Sequence, residues 1–265
     1  MLPTALIRQS VPPILWTLLR SHFGNRFRGS YPTWEEAKAA SSGYDDKAII
    51  DKVAESARAV RDGRKPYERD GVVFDSIQYS WPMIACLMLV AARQNGVLRV
   101  LDIGGSLGTS FRQGAKFFKR LAGVSWAIVE QSQFVELGNR EFSTPELAFF
   151  HDIDSAVAAC EPNVALFSGV LQYLESPMLL LDTVLGHKLE YLLFDRTPFI
   201  DGREDRLTRQ IVPRHIHAGS YPAWFFSKQS FFSRLERNYT LVEAFEGEDR
   251  ANLKSTFEGS LWQRK

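Results

Sequence analysis

The sequence predicts an α/β fold: a Rossmann-like, seven-stranded, mostly parallel sheet with helices on both faces. Three observations support this prediction. Strand and helix signals alternate from Leu98 onward, which implies right-handed crossovers and a parallel sheet. Residues 100–110, VLDIGGSLGTS, join an apolar run to a glycine-rich turn and then to a helix signal. The last two strand signals are joined by a short connection, which favours an antiparallel C-terminal strand.

The predicted elements follow one another in a regular order along the chain. The strands are expected at residues 98–103, 124–130, 147–151, 163–168, 191–195, 240–245 and 256–263. The helices between them are expected at residues 109–121, 134–140, 155–160, 177–185 and 231–237. The segment that includes PRHIHAGSYPAW is read as an insert after the fifth strand.

The first third of the chain is predicted to be helical. Thr33 and Glu36 form a capping-box pattern that starts a helix at Trp34. Apolar residues at helical spacing indicate a second helix that Gly63 ends, and residues 81–94 form an apolar third helix. Residues 66–80 read as a loop with a short extended piece. The predicted organisation is a helical N-terminal region or cap, residues 1–95, followed by a Rossmann-like domain, residues 96–265.

Composition narrows the choice of partners. The 265 residues carry a formal net charge of +1, which gives no electrostatic case for nucleic acid. Two cysteines without metal-type spacing favour a reducing cytoplasm. No apolar run is long enough for a transmembrane helix. The N-terminal PPILWTLLRSHF is expected to dock on the domain or on a second subunit, so a homo-oligomer stays open; weak contact with a membrane surface is the alternative.

Polar residues follow the predicted strands, where ligands bind in open α/β sheets. Glu130 stands 22 residues after Gly108, a spacing suited to a carboxylate that accepts hydrogen bonds from ribose hydroxyls, and Asp152 is placed to read an adenine amino group. The dinucleotide pattern G-x-G-x-x-G requires glycine at position 103, which is Ile103. The pattern acidic-x-G-x-G-x-G fits except at Ser106, and it favours S-adenosylmethionine (SAM). The predicted cofactor residues are Asp102, Gly104, Gly105, Ser106, Gly108, Glu130, Gln131, Asp152, Ile153, Ser168 and Gly169.

The chain resembles class I SAM-dependent methyltransferases. More narrowly, it resembles a family of inferred bacterial methyltransferases often encoded with surface-polysaccharide genes. The stretches that carry this resemblance, within residues 34–232, are WEEA with GYDD, YERDGVVFD, VLDIGGSLGTS, SGVLQYLESP and SYPAWFFSKQSFF. The resemblance implies that SAM is bound by Gly104, Gly105, Gly108 and Glu130, with Asp152 and Ile153 near the adenine.

The acceptor side is expected in the loops after the fourth and fifth strands and in the helical N-terminal third. Predicted substrate residues are Gln172, Arg196, Tyr79 and Trp81, and candidate catalytic residues are His215, His217 and Tyr173. The histidines lack a third ligand at suitable spacing, so no metal is predicted, and a structural role for them stays open. The predicted function is SAM-dependent O- or N-methylation of a small molecule, such as a sugar or polysaccharide precursor. The alternatives are a dinucleotide-dependent oxidoreductase or nucleotide-sugar-modifying enzyme, and a non-catalytic methyltransferase-like binding module.

Overall fold

The computed structural model describes residues 26–42, 46–212, 219–247 and 249–265, and only the backbone of residues 46–49. The N-terminal PPILWTLLRSHF, His215 and His217 lie outside the described residues. Within the described ranges, no helix combines the length and the apolar character that crossing a bilayer requires.

Strands and helices alternate through the central part of the chain. The strands are β1 Arg26–Tyr31, β2 Tyr67–Arg69, β3 Val72–Phe74, β4 Val97–Ile103, β5 Gly123–Val129, β6 Leu147–Phe150, β7 Val164–Ser168, β8 Tyr191–Ile200, β9 Arg206–Val212, β10 Gly219–Ser227, β11 Tyr239–Glu246 and β12 Thr256–Arg264. The helices are α1 Trp34–Ala39, α2 Asp46–Arg61, α3 Trp81–Arg93, α4 Thr109–Phe118, α5 Ser132–Glu141, α6 Ile153–Cys160, α7 Pro177–Gly186 and α8 Lys228–Leu235. A 3₁₀ turn, Leu171–Tyr173, follows β7.

The seven predicted strands are all present and adjacent, in the order β6-β5-β4-β7-β8-β12-β11. Strands β4 to β8 pair in parallel, whereas β12 is antiparallel to both β8 and β11. The mostly parallel sheet with an antiparallel C-terminal strand is therefore confirmed. Strands β5 and β7 lie on opposite sides of β4, so the direction in which successive strands join the sheet reverses at β4. This reversal opens a crevice at the carboxyl ends of the strands.

The main sheet is larger than predicted, with ten strands in the described residues instead of seven. Strand β10 pairs in parallel with the end of β8, β9 pairs with β10, and β1 pairs with β9. This extension exists because β8 continues to Ile200, whereas its neighbour β7 ends at Ser168, opposite Asp195. The free edge of the longer strand accepts β10, so the insert after the fifth predicted strand is part of the sheet.

The first third contains its predicted helices and also strands that were not predicted. Helix α1 begins at Trp34 as expected, and the Thr33 hydroxyl accepts a hydrogen bond from the Glu36 N–H at 3.3 Å. Residues 66–80, expected as a loop with a short extended piece, include the β2–β3 hairpin. Its turn residues, Asp70 and Gly71, both have positive φ, +53° and +73°, as a type I′ turn requires.

Helices cover both faces of the sheet, as predicted. In β4, Leu98 and Val100 pack with one apolar cluster, and the alternate residues Leu101 and Ile103 pack with the other. Helices α2 to α5 contribute to the first cluster, and α6 to α8 contribute to the second. Burial on both sides explains why these strands read as continuous apolar runs and not as alternating ones.

Gly138 allows helix α5 to pack closely on the sheet. A β-carbon at this position would lie 2.5 Å from Cγ and Cδ1 of the buried Phe149. We expect Gly138→Ala to lower the free energy of unfolding by about 1–3 kcal/mol, because overpacking outweighs the gain in helix propensity. Gly186→Ala is the matched control, since its β-carbon would meet nothing within 4 Å. Urea denaturation of both variants tests this, and equal stability changes would contradict the packing role.

Candidate functional site

The glycine loop joins β4 to α4 in a conformation that few residue types adopt. Gly104, Ser106 and Gly108 have φ of +68°, +52° and +92°. A β-carbon at Gly104 would lie 2.4 Å from Val170 Cγ2, so this position has no room for a side chain. Ser106 takes the left-handed conformation that glycine normally supplies, at a cost of about 1–2 kcal/mol. The departure from the glycine pattern therefore leaves the loop's path intact.

Glu130 lies beside this loop at the carboxyl end of β5. Its Oε1 accepts a hydrogen bond from the Ser106 N–H at 3.2 Å, and its Oε2 accepts one from the Gln131 N–H at 2.8 Å. Burial raises the pKa of Glu130, and the two backbone hydrogen bonds partly offset that rise. The structure thus places the predicted ribose-binding carboxylate against the glycine loop.

Asp102 is buried beneath the glycine loop. Its side chain is 1% exposed, and its Oδ2 accepts a hydrogen bond from Trp126 Nε1 at 2.9 Å. A β-carbon at Gly105 would lie 2.5 Å from the same Oδ2, so the loop passes directly over the carboxyl group. Asp102 therefore supports the loop from below, and its contact with a cofactor stays a prediction.

The residues predicted near the adenine follow β6. Asp152 is the N-cap of α6, where its Oδ1 accepts from the Ser155 N–H at 2.7 Å and its Oδ2 accepts from the Ser155 hydroxyl at 2.9 Å. These bonds lower the pKa of Asp152. Ile153, which is 9% exposed, packs in the second of the two apolar clusters, the one to which helices α6 to α8 contribute. Both residues lie at the expected edge, and their contact with adenine stays a prediction.

A carboxyl–hydroxyl pair joins Ser168 at the end of β7 to Asp195 in the middle of β8. Ser168 Oγ donates a hydrogen bond to Asp195 Oδ2 at 2.9 Å, and the Gly169 N–H donates to the Asp195 carbonyl at 2.9 Å. Asp195 is 3% exposed, and burial raises its pKa above the usual value. The only sequence signal for a role of Asp195 was its position at the end of the fifth predicted strand.

The 3₁₀ turn after β7 meets the unpredicted strands. Tyr173 donates a hydrogen bond from its hydroxyl to Gln210 Oε1 at 2.9 Å, and its ring lies edge-on to Tyr221 with centroids 5.3 Å apart. Gln172 is buried, and its Oε1 has no hydrogen-bond partner among the described residues. Strands β9 and β10 therefore form a wall beside the predicted acceptor residues. The position of this wall could not be predicted from the sequence, because it depends on how the two strands pair.

Arg196 contacts two carboxylates that were not predicted as site residues. Its Nε donates to Asp249 Oδ2 at 2.8 Å, and its Nη2 lies 3.7 Å from Asp70 Oδ2. Burial opposes the charge of Arg196, but Asp249 and Asp70 outweigh that effect and raise its pKa. The residue has φ +56°, a left-handed conformation that costs about 1–2 kcal/mol for a residue with a side chain.

Two predicted substrate residues lie away from this edge. Tyr79 and Trp81 pack together with ring centroids 4.6 Å apart, and both contact Phe117. Phe117 lies near the C-terminal end of α4, about 13 Å along the helix from Gly108 at a rise of about 1.5 Å per residue. The structure therefore does not bring Tyr79 and Trp81 to the glycine loop. Their rings pack instead at the far end of helix α4.

No protein-family model matches the chain, and no curated protein is detectably similar to it. Among solved structures, the N-terminal domain of EvdMO1, crystallised in the presence of S-adenosylhomocysteine (SAH) and D-fucose, aligns with a TM-score of 0.50 and 15% identity, over 84% of this chain and 98% of that one. CalS10, a SAM-bound amino pentose methyltransferase from Micromonospora echinaspora, aligns with a TM-score of 0.45 and 10% identity, over 79% and 96%. The glycopeptide N-methyltransferase MtfA, complexed with sinefungin, aligns with a TM-score of 0.46 and 11% identity, over 69% and 94%. The EvdMO1 likeness shows that this chain has the Rossmann-like fold on which class I SAM-dependent methyltransferases are built.

Proposed function

We propose that the chain binds SAM at the carboxyl ends of β4 and β5 and transfers its methyl group to a small-molecule acceptor. The observation that carries the proposal is the position of Glu130, whose carboxylate meets the Ser106 N–H of the glycine loop at 3.2 Å. A carboxylate at the end of the second strand, next to a glycine loop after the first, is suited to bind both hydroxyls of a ribose.

The residues at this edge fit the proposed cofactor. Gly104 lets the loop pack closely on Val170, because a β-carbon there would lie 2.4 Å from Val170 Cγ2. Glu130 supplies two carboxylate oxygens, which accept only backbone N–H groups in the structure. Ser168 ends β7 and Gly169 follows it at the same edge, and in this proposal they contact the amino-acid part of SAM. When bound, SAM supplies a methyl group carried by a positively charged sulfur.

The protein's own contribution is to place the acceptor and to receive its proton. Positioning accounts for most of the rate gain when two reactants are held in line. Tyr173 and Gln172 lie on the turn between the cofactor edge and strands β9 and β10. Asp195 is a candidate proton acceptor through Ser168, because its raised pKa makes it a stronger base than an ordinary aspartate. His215 and His217 remain candidates from the sequence.

We propose a sugar or polysaccharide precursor as the acceptor class. The resemblance to inferred methyltransferases encoded with surface-polysaccharide genes supports this choice. The EvdMO1 domain was crystallised in the presence of D-fucose, which makes deoxy sugars a reasonable first group to test. Hydroxyl-rich acceptors also suit the phenol of Tyr173, which is 37% exposed and donates a hydrogen bond to Oε1 of the buried Gln210.

Calorimetry with SAH and with NAD tests the cofactor. We expect SAH to bind and NAD to give no binding heat, because position 103 lacks the glycine that the dinucleotide pattern requires. Methyl transfer is then measured as SAH release from SAM in the presence of a panel of neutral, amino and acidic sugars. Binding of NAD without binding of SAH would reject the proposal. Binding of SAH without turnover on any acceptor class would favour a non-catalytic module.

A further inference from the structure

Arg196 stands in a β-bulge of strand β8. Two β8 residues, Asp195 and Arg196, oppose the single β12 residue Gly259, and Arg196 has φ +56°. Bulges next to functional sites commonly change the direction of a side chain. Because glycine takes a left-handed position without steric cost, the presence of arginine indicates that the direction of its guanidinium is what matters.

The guanidinium joins two segments that are distant along the chain. Its Nε donates to Asp249 Oδ2 at 2.8 Å, and its Nη2 lies 3.7 Å from Asp70 Oδ2. Asp70 is in the turn of the β2–β3 hairpin, and Asp249 is in the connection from β11 to β12. The guanidinium carbon also lies 3.4 Å from the position that a β-carbon at Gly169 would take. Arg196 therefore holds both segments against the carboxyl end of β7.

Each segment has a second anchor elsewhere. In the hairpin, Glu68 accepts a hydrogen bond from the Thr109 hydroxyl, beside the glycine loop, and lies 3.9 Å from Arg112 Nη2. In the β11–β12 connection, the Asn252 side chain accepts from the Phe27 N–H at 2.6 Å and donates to the Phe27 carbonyl at 3.0 Å. Loss of Arg196 is thus expected to release the tip of each segment without detaching the whole segment.

The charge of Arg196 is already compensated. A guanidinium between two carboxylates does not present the uncompensated positive charge that binding a phosphate or carboxylate requires. We propose that Arg196 is a positioning residue of the acceptor side, which fixes the Asp70 turn and the Asp249 connection over the carboxyl edge, and that the acceptor is uncharged or carries an amine. This inference rests on the proposed methyltransferase function and narrows its substrate class.

Arg196→Gly tests the proposal, because glycine suits the backbone and removes only the guanidinium. We expect the midpoint of thermal unfolding to stay within about 4 °C of the wild type. Hydrogen exchange at amides 69–72 should rise about 10-fold or more, because the Asp70 turn loses its anchor. The KM for a neutral or amino sugar should rise about 10-fold with a smaller change in kcat, while SAH affinity changes by less than about 3-fold. Arg196→Lys should restore part of the exchange protection.

Lys188→Gly is the matched control. Lys188 also has a positive φ, +55°, and is exposed before the amino end of β8, so its replacement should leave exchange at amides 69–72 unchanged. Wild-type exchange at those amides in Arg196→Gly would overturn the proposal. Binding of inorganic pyrophosphate by the wild type but not by Arg196→Gly would also overturn it. Failure of the wild type to bind SAH would instead reject the methyltransferase function, and the exchange comparison would still test the positioning role.

Discussion

Replacing Glu130 by alanine is expected to weaken SAH binding by on the order of 100-fold or more near neutral pH. The two oxygens of Glu130 lie at the end of β5 against the glycine loop, where a ribose would present two hydroxyl donors. Each hydrogen bond to a charged acceptor contributes about 1.5–3 kcal/mol, so loss of both accounts for an effect of this size. Isothermal titration calorimetry measures it directly.

Two further variants distinguish the role of the Glu130 carboxylate from a general effect of substitution on SAH affinity. Glu130→Gln keeps the shape and one oxygen acceptor, so we expect about a 10-fold loss of affinity. Glu136→Ala removes an exposed carboxylate from the neighbouring helix α5 and should leave SAH affinity unchanged. If Glu130→Ala binds SAH as tightly as the wild type, the ribose assignment is wrong.

The pH dependence of SAH binding follows from the same residue. Burial raises the pKa of Glu130, so the carboxylate takes up a proton at a higher pH than an ordinary glutamate does. Protonation removes an acceptor that the ribose hydroxyls need, and SAH affinity should therefore fall on acidification. In Glu130→Gln this fall should be absent, because the amide does not titrate in that range.

The central sheet was predictable because its signals are local. Each buried strand is a short apolar run followed by a turn, as in β4 with its glycine loop. Strands β9 and β10 carry weaker signals, and Pro222 within β10 argues against a central strand. The structure accommodates Pro222 because β10 pairs with β8 only through Phe226 and Ser227, nearer its end. The Asp70–Gly71 dipeptide is a local hairpin signal from which the β2–β3 turn could have been predicted.

The two sides of the candidate site differ in how far the sequence reveals them. Candidate cofactor residues such as Glu130 follow parallel strands, whose carboxyl ends meet at one edge of the sheet, so their common edge could be predicted. The acceptor side depends on contacts such as Arg196 with Asp70 and with Asp249, which join segments that share no local pattern. The burial of Asp102 could not be predicted either, because it depends on the path of the loop above it and on the Trp126 ring.

Asp102 is expected to make the protein less stable as the pH rises. Burial raises the pKa of Asp102 to about 7; the charge of Glu130 adds to this rise, and the hydrogen bond from Trp126 opposes it. The unfolded chain has an ordinary aspartate pKa of about 3.9. The folded state therefore retains a proton that the unfolded state releases, and the free energy of unfolding decreases as the pH rises between those values.

The size of this effect follows from the separation of the two pKa values. A difference of about three pH units corresponds to roughly 4 kcal/mol, at about 1.4 kcal/mol per unit. The stabilisation is fully present below the unfolded pKa and is lost as the pH passes through the folded one. Other buried carboxyl groups, Asp195 among them, also have raised pKa values, so the total slope of the wild type should be steeper than that of Asp102 alone.

Asp102→Asn isolates the contribution of Asp102. The amide is neutral at every pH, and its carbonyl oxygen retains the hydrogen bond from Trp126 Nε1, 2.9 Å away in the wild type. We expect the variant to match the wild type within about 1 kcal/mol near pH 4 and to exceed its unfolding free energy by about 2–4 kcal/mol near pH 8. Urea denaturation across this range measures both.

Asp201→Asn serves as the surface control, because Asp201 is 85% exposed and its ion pair with Lys254, at 3.3 Å, is exposed as well. Its stability profile should run parallel to that of the wild type. If the stability of Asp102→Asn also changes with pH in parallel with that of the wild type, Asp102 is ionised in the folded protein at neutral pH. The carboxyl group beneath the glycine loop would then be a charged support that accepts the hydrogen bond from Trp126 Nε1.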